Sequence, residues 1–280
     1  MVFAMITWGY SWVGAKILGP YGHVSTKIFL RFFFASIALI PILLKYHIPF
    51  RIDKKGFIFI LWNSISLCSY NYFYFKSTHM GLAGVGGVLV TTLNPILTSL
   101  FVFSFLDKSS AKLKDFVGLI MGLTGGGIIM RLWEMDIALM ISSGNIFYIL
   151  ASCSWVSVTI ASQKSKTHIH FLTFSFWSFL SASLFSLSFC EIESISQTIN
   201  YDSIYWLNIF LLSIVVMSFA NTMYFFASSK IGAVKASSYI FVVPLTAIIF
   251  SKIILNEQVL YTTVLGGVLS VVAVYLINKK

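Results

Sequence analysis

The stretch Leu82–Leu106, LAGVGGVLVTTLNPILTSLFVFSFL, contains no charged residue and carries a proline at its midpoint, Pro95. A second uncharged stretch, Ala236–Ser251, ASSYIFVVPLTAIIFS, is centred on Pro244, 149 residues further on. Leu106-Asp107-Lys108 keeps that offset from Leu255-Asn256-Glu257. Asn71-Tyr72-Phe73-Tyr74-Phe75 matches Asn221-Thr222-Met223-Tyr224-Phe225 at an offset of 150, Trp8 matches Trp155 at 147, and Gly118 matches Gly266 at 148. Paired apolar segments broken by proline at corresponding positions point to a secondary transporter built from internal repeats, with its site at their seam.

Composition narrows the fold class in the same direction. The chain of 280 residues is 58% hydrophobic and 10% charged, and its mean hydropathy is +0.89. Further uncharged runs span Gly56–Phe75, Ile137–Ser162, Phe171–Cys190, Ser203–Ser229 and Gln258–Asn278. Each is long enough to cross a hydrocarbon core of about 30 Å as a helix. With the shorter runs at the start, at Phe32–Leu44, at Phe116–Met130 and around Pro244, the expected fold is an all-α membrane protein of ten transmembrane helices. The runs do not alternate at period two, as membrane barrel strands would. Two units of five helices, residues 1–133 and 143–280, follow from the repeat. An odd number of crossings inverts the second unit relative to the first.

Charge sets the expected orientation. With the N-terminus inside, thirteen lysines and arginines fall in cytoplasmic loops and five in outer loops, with Arg31 set aside inside a span. That division follows the positive-inside rule and places both termini in the cytoplasm. The net charge of +10 is spread among loops, unlike the single basic face of a nucleic-acid-binding domain, so no nucleic-acid partner is expected. The expected surroundings are the lipid bilayer and a small-molecule substrate, with the protein as monomer or homodimer. The first span starts at Met1 without a basic leader and aligns with a later span, so it reads as part of the fold. Cys68, Cys153 and Cys190 share no ligand-like spacing. Neither a His-Glu-x-x-His pair nor a phosphate-binding glycine loop occurs, so no metal or cofactor is expected.

Trp8-Gly9, Arg31-Phe32-Phe33-Phe34-Ala35, the mid-span prolines and Leu255-Asn256-Glu257 together resemble the EamA-type branch of the drug/metabolite transporter superfamily. The resemblance covers essentially the whole chain. It implies a transporter in the cytoplasmic (inner) membrane that handles amino acids and similar solutes, often outward. Spans 1, 3, 4, 6, 8 and 9 would then surround the cavity, with 5 and 10 peripheral. The family often carries a glutamate after span 4, where this chain has Lys108 beside Asp107.

Candidate site residues follow from polarity and symmetry. Pro95 and Pro244 each free a backbone carbonyl, so the pair reads either as a hinge lining a cavity or as two static kinks. Thr91, Asn94, Ser237 and Tyr239 lie beside them in sequence. Asn71 with Tyr74 and Asn221 with Tyr224 are three residues apart, on one helix face each. They could meet a polar solute or simply bond between helices. Trp8, Ser11, Trp12 and Trp155 suit the wall of a cavity for a small amphipathic molecule, and core packing is the alternative. Arg31 lies about two turns inside its span and is expected to snorkel outward, with recognition of a carboxylate as the other reading. Glu257 is expected to cap the start of span 10, and Gly118, Gly122 and Gly126 to serve close helix packing. No acid or histidine falls at mid-span, so facilitated diffusion or exchange is favoured over a proton relay. Other readings are an uptake carrier or exchanger for nucleotides or cofactors, or a membrane-embedded lipid-modifying enzyme. The latter would need a reactive cluster, and His168 and His170 have no acidic neighbour in sequence.

Overall fold

The computed structural model of the chain describes residues 1–106, 113–134, 138 and 142–278. Asp107 and Lys108 lie outside the described residues. The described elements are helices: α1 (Val2–Ile17), α2 (Val24–Lys45), α3 (Lys54–Met80), α4 (Ala83–Phe101), α5 (Leu113–Met130), α6 (Asn145–Ser165), α7 (Phe171–Leu187) and the short α8 (Ile192–Gln197). A long α9 (Ser203–Ile231), α10 (Ala233–Ser238), α11 (Val243–Leu255) and α12 (Tyr261–Asn278) complete the chain. By length and apolarity alone, Val24–Lys45, Ala83–Phe105, Asn145–Ser165 and Ser203–Ile231 qualify as bilayer crossings. Phe171–Leu187 and Ile192–Asn200 make up one further apolar pair, bent by 115°.

Local chemistry fixes where these helices begin and turn. Asp53 caps α3, its Oδ1 accepting the Gly56 N–H at 2.6 Å. Asp202 caps α9 in the same way through the Tyr205 N–H at 2.9 Å. Both satisfy amides that a helix start leaves without partners. Gly232, with φ of 90°, breaks the chain between α9 and α10, a conformation that glycine adopts without a Cβ penalty. Asn256, at φ 53°, ends α11.

The molecule distributes polarity opposite to a water-soluble protein. Ile58, Ile65, Ile120, Leu184, Leu245 and Val268 are exposed, while Asn63, Ser152, Thr159, Ser175, Ser213 and Ser228 are buried. Apolar faces outside and hydroxyl or amide groups between helices are what a lipid environment requires. α5 and α12 pack closely on each other. A Cβ on Gly266 would lie 2.5 Å from the Gly125 carbonyl oxygen, and one on Gly126 would lie 3.2 Å from Leu93 of α4. The α5 glycines therefore serve two neighbours, α12 through Gly125 and α4 through Gly122 and Gly126.

Two expectations meet a different arrangement. Pro95 lies inside the continuous α4, whereas Pro244 stands in the first turn of α11, after a 3-10 turn at Tyr239–Val242. The two prolines thus share a sequence position but not a backbone environment. Glu257 does not cap α12. Its carboxylate accepts the N–H groups of Ala83 and Gly84, each at 2.9 Å, and so caps α4 from the other half of the chain. α4 has no side-chain cap of its own at Leu82. Its positive N-terminal end therefore attracts the nearest carboxylate.

Candidate functional site

Helices α1, α2, α3, α4, α6 and α9 converge on a small enclosed space lined by Trp8, Ser11, Trp12, Arg31, Tyr70, Thr91, Asn94, Trp155 and Asn221, with Val216 and Met217. The free volume there is about 20 Å³, room for a water molecule. Aromatic rings form much of the wall. Trp8 and Trp155 meet edge to face with centroids 5.0 Å apart, Tyr70 packs on Trp155 at 4.7 Å, and Tyr224 lies 5.1 Å from Trp8. Such edge-on and tilted contacts add to the rings' burial.

The charge at this site is Arg31, which is 2% exposed. It does not snorkel. Its Nη1 donates to Asn71 Oδ1 at 2.8 Å and its Nε to the Leu212 carbonyl at 3.3 Å. Its guanidinium carbon sits 5.2 Å from the Tyr74 ring centroid and 5.7 Å from that of Phe75. Two ring faces and two acceptors hold the cation inward against the pull of the headgroup region. The Leu212 carbonyl belongs to Leu211–Asn221, where α9 widens to π-type turns. Such turns recur at functional sites, and this one also carries Val216, Met217 and Asn221 to the cavity.

Of the residues expected at the site, Trp8, Ser11, Trp12, Thr91, Asn94, Trp155 and Asn221 line the space. Asn71 and Tyr74 are fully buried just behind it. Asn71 holds Arg31 and donates to Leu67 O at 2.8 Å, and the Tyr74 hydroxyl donates to the Ser11 carbonyl. Tyr224 backs the tryptophans, its hydroxyl 2.9 Å from Thr159 Oγ1. Ser237 is buried elsewhere and donates to Val234 O at 2.8 Å. Tyr239 is 41% exposed and is absent from the lining. Thr92 bonds back to the Val88 carbonyl at 2.8 Å, and Thr91 to that of Gly87. Neither reaches the carbonyl four residues before Pro95. Sequence reading favoured an outward Arg31 over one in the site, and it missed Tyr70, Val216 and Met217 as lining residues. For Arg31 the pattern gave depth and not direction, since α2 carries buried residues nearly all round.

Several polar atoms in and around the cavity are buried without a hydrogen-bond partner: Trp8 Nε1, Trp155 Nε1 and Asn94 Oδ1, and, deeper in α3, both amide atoms of Asn63. Among the described residues the ion pairs are Arg131–Glu134 and His168–Asp53, so Arg31 has no carboxylate partner there. No group of metal-ligating side chains occurs among the described residues. His168 does find an acid, Asp53 Oδ2 at 3.7 Å. It also stacks on Phe59, and Asp53 is already occupied as the α3 cap. Nearby His170 is held below the usual imidazole range by burial and by Lys230.

The EamA-like transporter family model matches residues 1–131 and 142–279, and the chain belongs to that family. An uncharacterized transporter of Bacillus subtilis, YoaV, is 23% identical over 276 residues, covering 96% of this chain and 92% of that protein. A second from the same organism, YvbV, is 24% identical over 285 residues, covering 100% and 90%. An uncharacterized transporter of Synechocystis is 26% identical over 213 residues, 71% of this chain and 64% of that protein. A solved structure titled only as a crystal structure of protein superposes with a TM-score of 0.69 over 98% of this chain and 94% of its own, at 17% identity. That likeness concerns the fold alone. Family and relatives point to a multi-pass membrane transporter rather than an enzyme.

Proposed function

We propose that the protein is a secondary transporter that moves a small metabolite, an amino acid or similar solute, outward across the cytoplasmic membrane by alternating access. Ten crossings in two five-helix units, residues 1–133 and an inverted 143–280, would carry the motion, with both termini in the cytoplasm. The observation that carries this reading is the cavity itself. Its lining comes from α1 to α4 on one side and from α6 and α9 on the other, which would be the seam of the two proposed units. It is almost closed, and it holds polar atoms that lack partners. A contracted site with unused donors and acceptors suits an occluded or unloaded state of a carrier, because buried polar groups are costly unless satisfied. Solute would enter as the units separate on one side and leave as they separate on the other. Trp8, Ser11, Trp12, Thr91, Asn94, Trp155 and Asn221 would contact it. Asn71, Tyr74 and Tyr224 would hold the wall, and Pro95 and Pro244 would flank the moving segments.

Exchange of radiolabelled amino acids across proteoliposomes tests this reading. Expected is counterflow that drops several-fold when Trp155→Ala or Asn221→Ala is introduced. Counterflow untouched by both substitutions would remove the cavity from the pathway.

A further inference from the structure

The geometry points to Arg31 as the group that selects the solute: we propose that this transporter recognises molecules bearing a carboxylate, which pairs with the Arg31 guanidinium. This deepens the transporter reading and rests on it. An arginine offers five N–H donors, and the structure supplies acceptors for two of them in good geometry, Asn71 Oδ1 and the Leu212 carbonyl, with the neutral Tyr74 hydroxyl also within reach of the guanidinium. Both acceptors are neutral. The ion pairs among the described residues do not involve Arg31, although it is 2% exposed. A cation withdrawn from water without an anion is strongly disfavoured, and within a membrane protein such a group marks a substrate pathway. The side chain is nevertheless fixed from two sides. The Tyr74 and Phe75 rings lie beside it, at 5.2 and 5.7 Å, and the amide and carbonyl acceptors orient the guanidinium plane.

The rest of the wall says what the remainder of the solute should be. Trp8, Trp155 and Tyr70 offer ring faces and edges to an apolar or aromatic body. Trp8 Nε1 is a free donor and Asn94 Oδ1 a free acceptor. The acceptor suits an ammonium or hydroxyl on the same molecule. An arginine fork and a carboxylate match in geometry, which a lone ammonium would not achieve. The pairing is therefore specific for planar oxyanions and excludes amides, which carry no charge to neutralise.

Matched probes test this directly on the purified full chain in nanodiscs. Thermal shifts are measured with phenylacetate and phenylacetamide, with L-phenylalanine and L-phenylalaninamide, and with L-leucine and L-leucinamide. Expected is stabilisation by the carboxylate member of at least one pair and not by its amide, with about 10- to 100-fold weaker carboxylate binding in Arg31→Gln, the range for hydrogen bonds to charged groups. Arg31→Lys should keep the preference for carboxylate at reduced affinity. Response to phenylacetate as well as to the amino acid would make the ammonium dispensable. Equal response to acid and amide overturns the proposal, as does silence from every carboxylate. A preference that survives in Arg31→Gln overturns it too. Should Arg31→Gln not fold, the wild-type ratio and Arg31→Lys decide. A carboxylate bound through Arg31 but never exchanged across proteoliposomes would sink the transport reading alone. Exchange indifferent to Arg31 would sink the recognition alone.

Discussion

Arg31 and Asn71 show how far single residues could be read from the chain. Asn71 and Tyr74 stood out because three-residue spacing puts an amide and a phenol on one helix face. In the structure they hold Arg31 and the α1 backbone rather than an open surface. Arg31 was legible in depth but not in direction. α2 is apolar nearly all round, so nothing in its pattern fixes which face turns inward. The rotation is decided by the rings and acceptors on α3 and α9. Substituting Asn71→Asp tests that arrangement. The new carboxylate would stand where the amide oxygen now lies 2.8 Å from Nη1, giving the cation an internal partner. The expected outcome is a higher Tm together with loss of carboxylate binding. A lower Tm with binding retained would show that the amide, not the charge deficit, governs this corner. A milder change, Tyr74→Phe, removes the hydroxyl that bonds the Ser11 carbonyl and also reaches Arg31, and should cost about 1 kcal/mol or more in denaturant-monitored stability.

At the scale of elements, the helices were placed by their uncharged runs, but how their ends connect was not. Asp53 and Asp202 each sit immediately before the helix they cap and are readable by position. Glu257 is not, because its helix partner lies more than 170 residues away. The sequence placed it beside the start of α12, and only the packing of α11 against α4 brings it to Ala83 and Gly84. Glu257→Gln should lower stability by roughly 0.5–2 kcal/mol, the range for a helix cap. Hydrogen exchange would quicken at the Ala83 and Gly84 amides and not at the first turn of α12. Exchange rising instead around Tyr261 would restore the local-cap reading. Acid should loosen α9 at its start. The Asp202 carboxyl is held below the usual range first by the Tyr205 N–H and then by the Tyr21 hydroxyl. Its contribution is therefore full above the ordinary aspartate value of about 4 and is lost as pH falls through the depressed value. Trp206 fluorescence should report that loss in wild type, and Asp202→Asn should flatten it.

At the scale of the whole molecule, the packing of helices reads as reciprocal between the two halves. α1 lies against α9 and α11, while α6 lies against α3 and α4. α2 meets α7, α4 meets α11, and α5 meets α12. Exchanging each helix of the first unit for its sequence counterpart in the second maps this set onto itself, as a two-fold axis in the membrane plane would require. The Pro95 and Pro244 environments break that symmetry locally, as the proposed carrier, with two sides that open in turn, would allow. Such an axis fixes orientation as well, because it places the α1–α2 turn on the same face as the α7–α9 connection. With basic loops inside, Glu193 in the exposed α8 should face outward and Lys166 after α6 inward. In a chain whose Cys68, Cys153 and Cys190 are replaced by serine, Glu193→Cys should react with a membrane-impermeant maleimide in intact cells. Lys166→Cys should react only after the membrane is opened. The reverse pattern would turn the molecule over and place both termini outside. Labelling of both sites in intact cells would mean that α7 does not cross the membrane, and the five-crossing second unit, with its inversion, would fall.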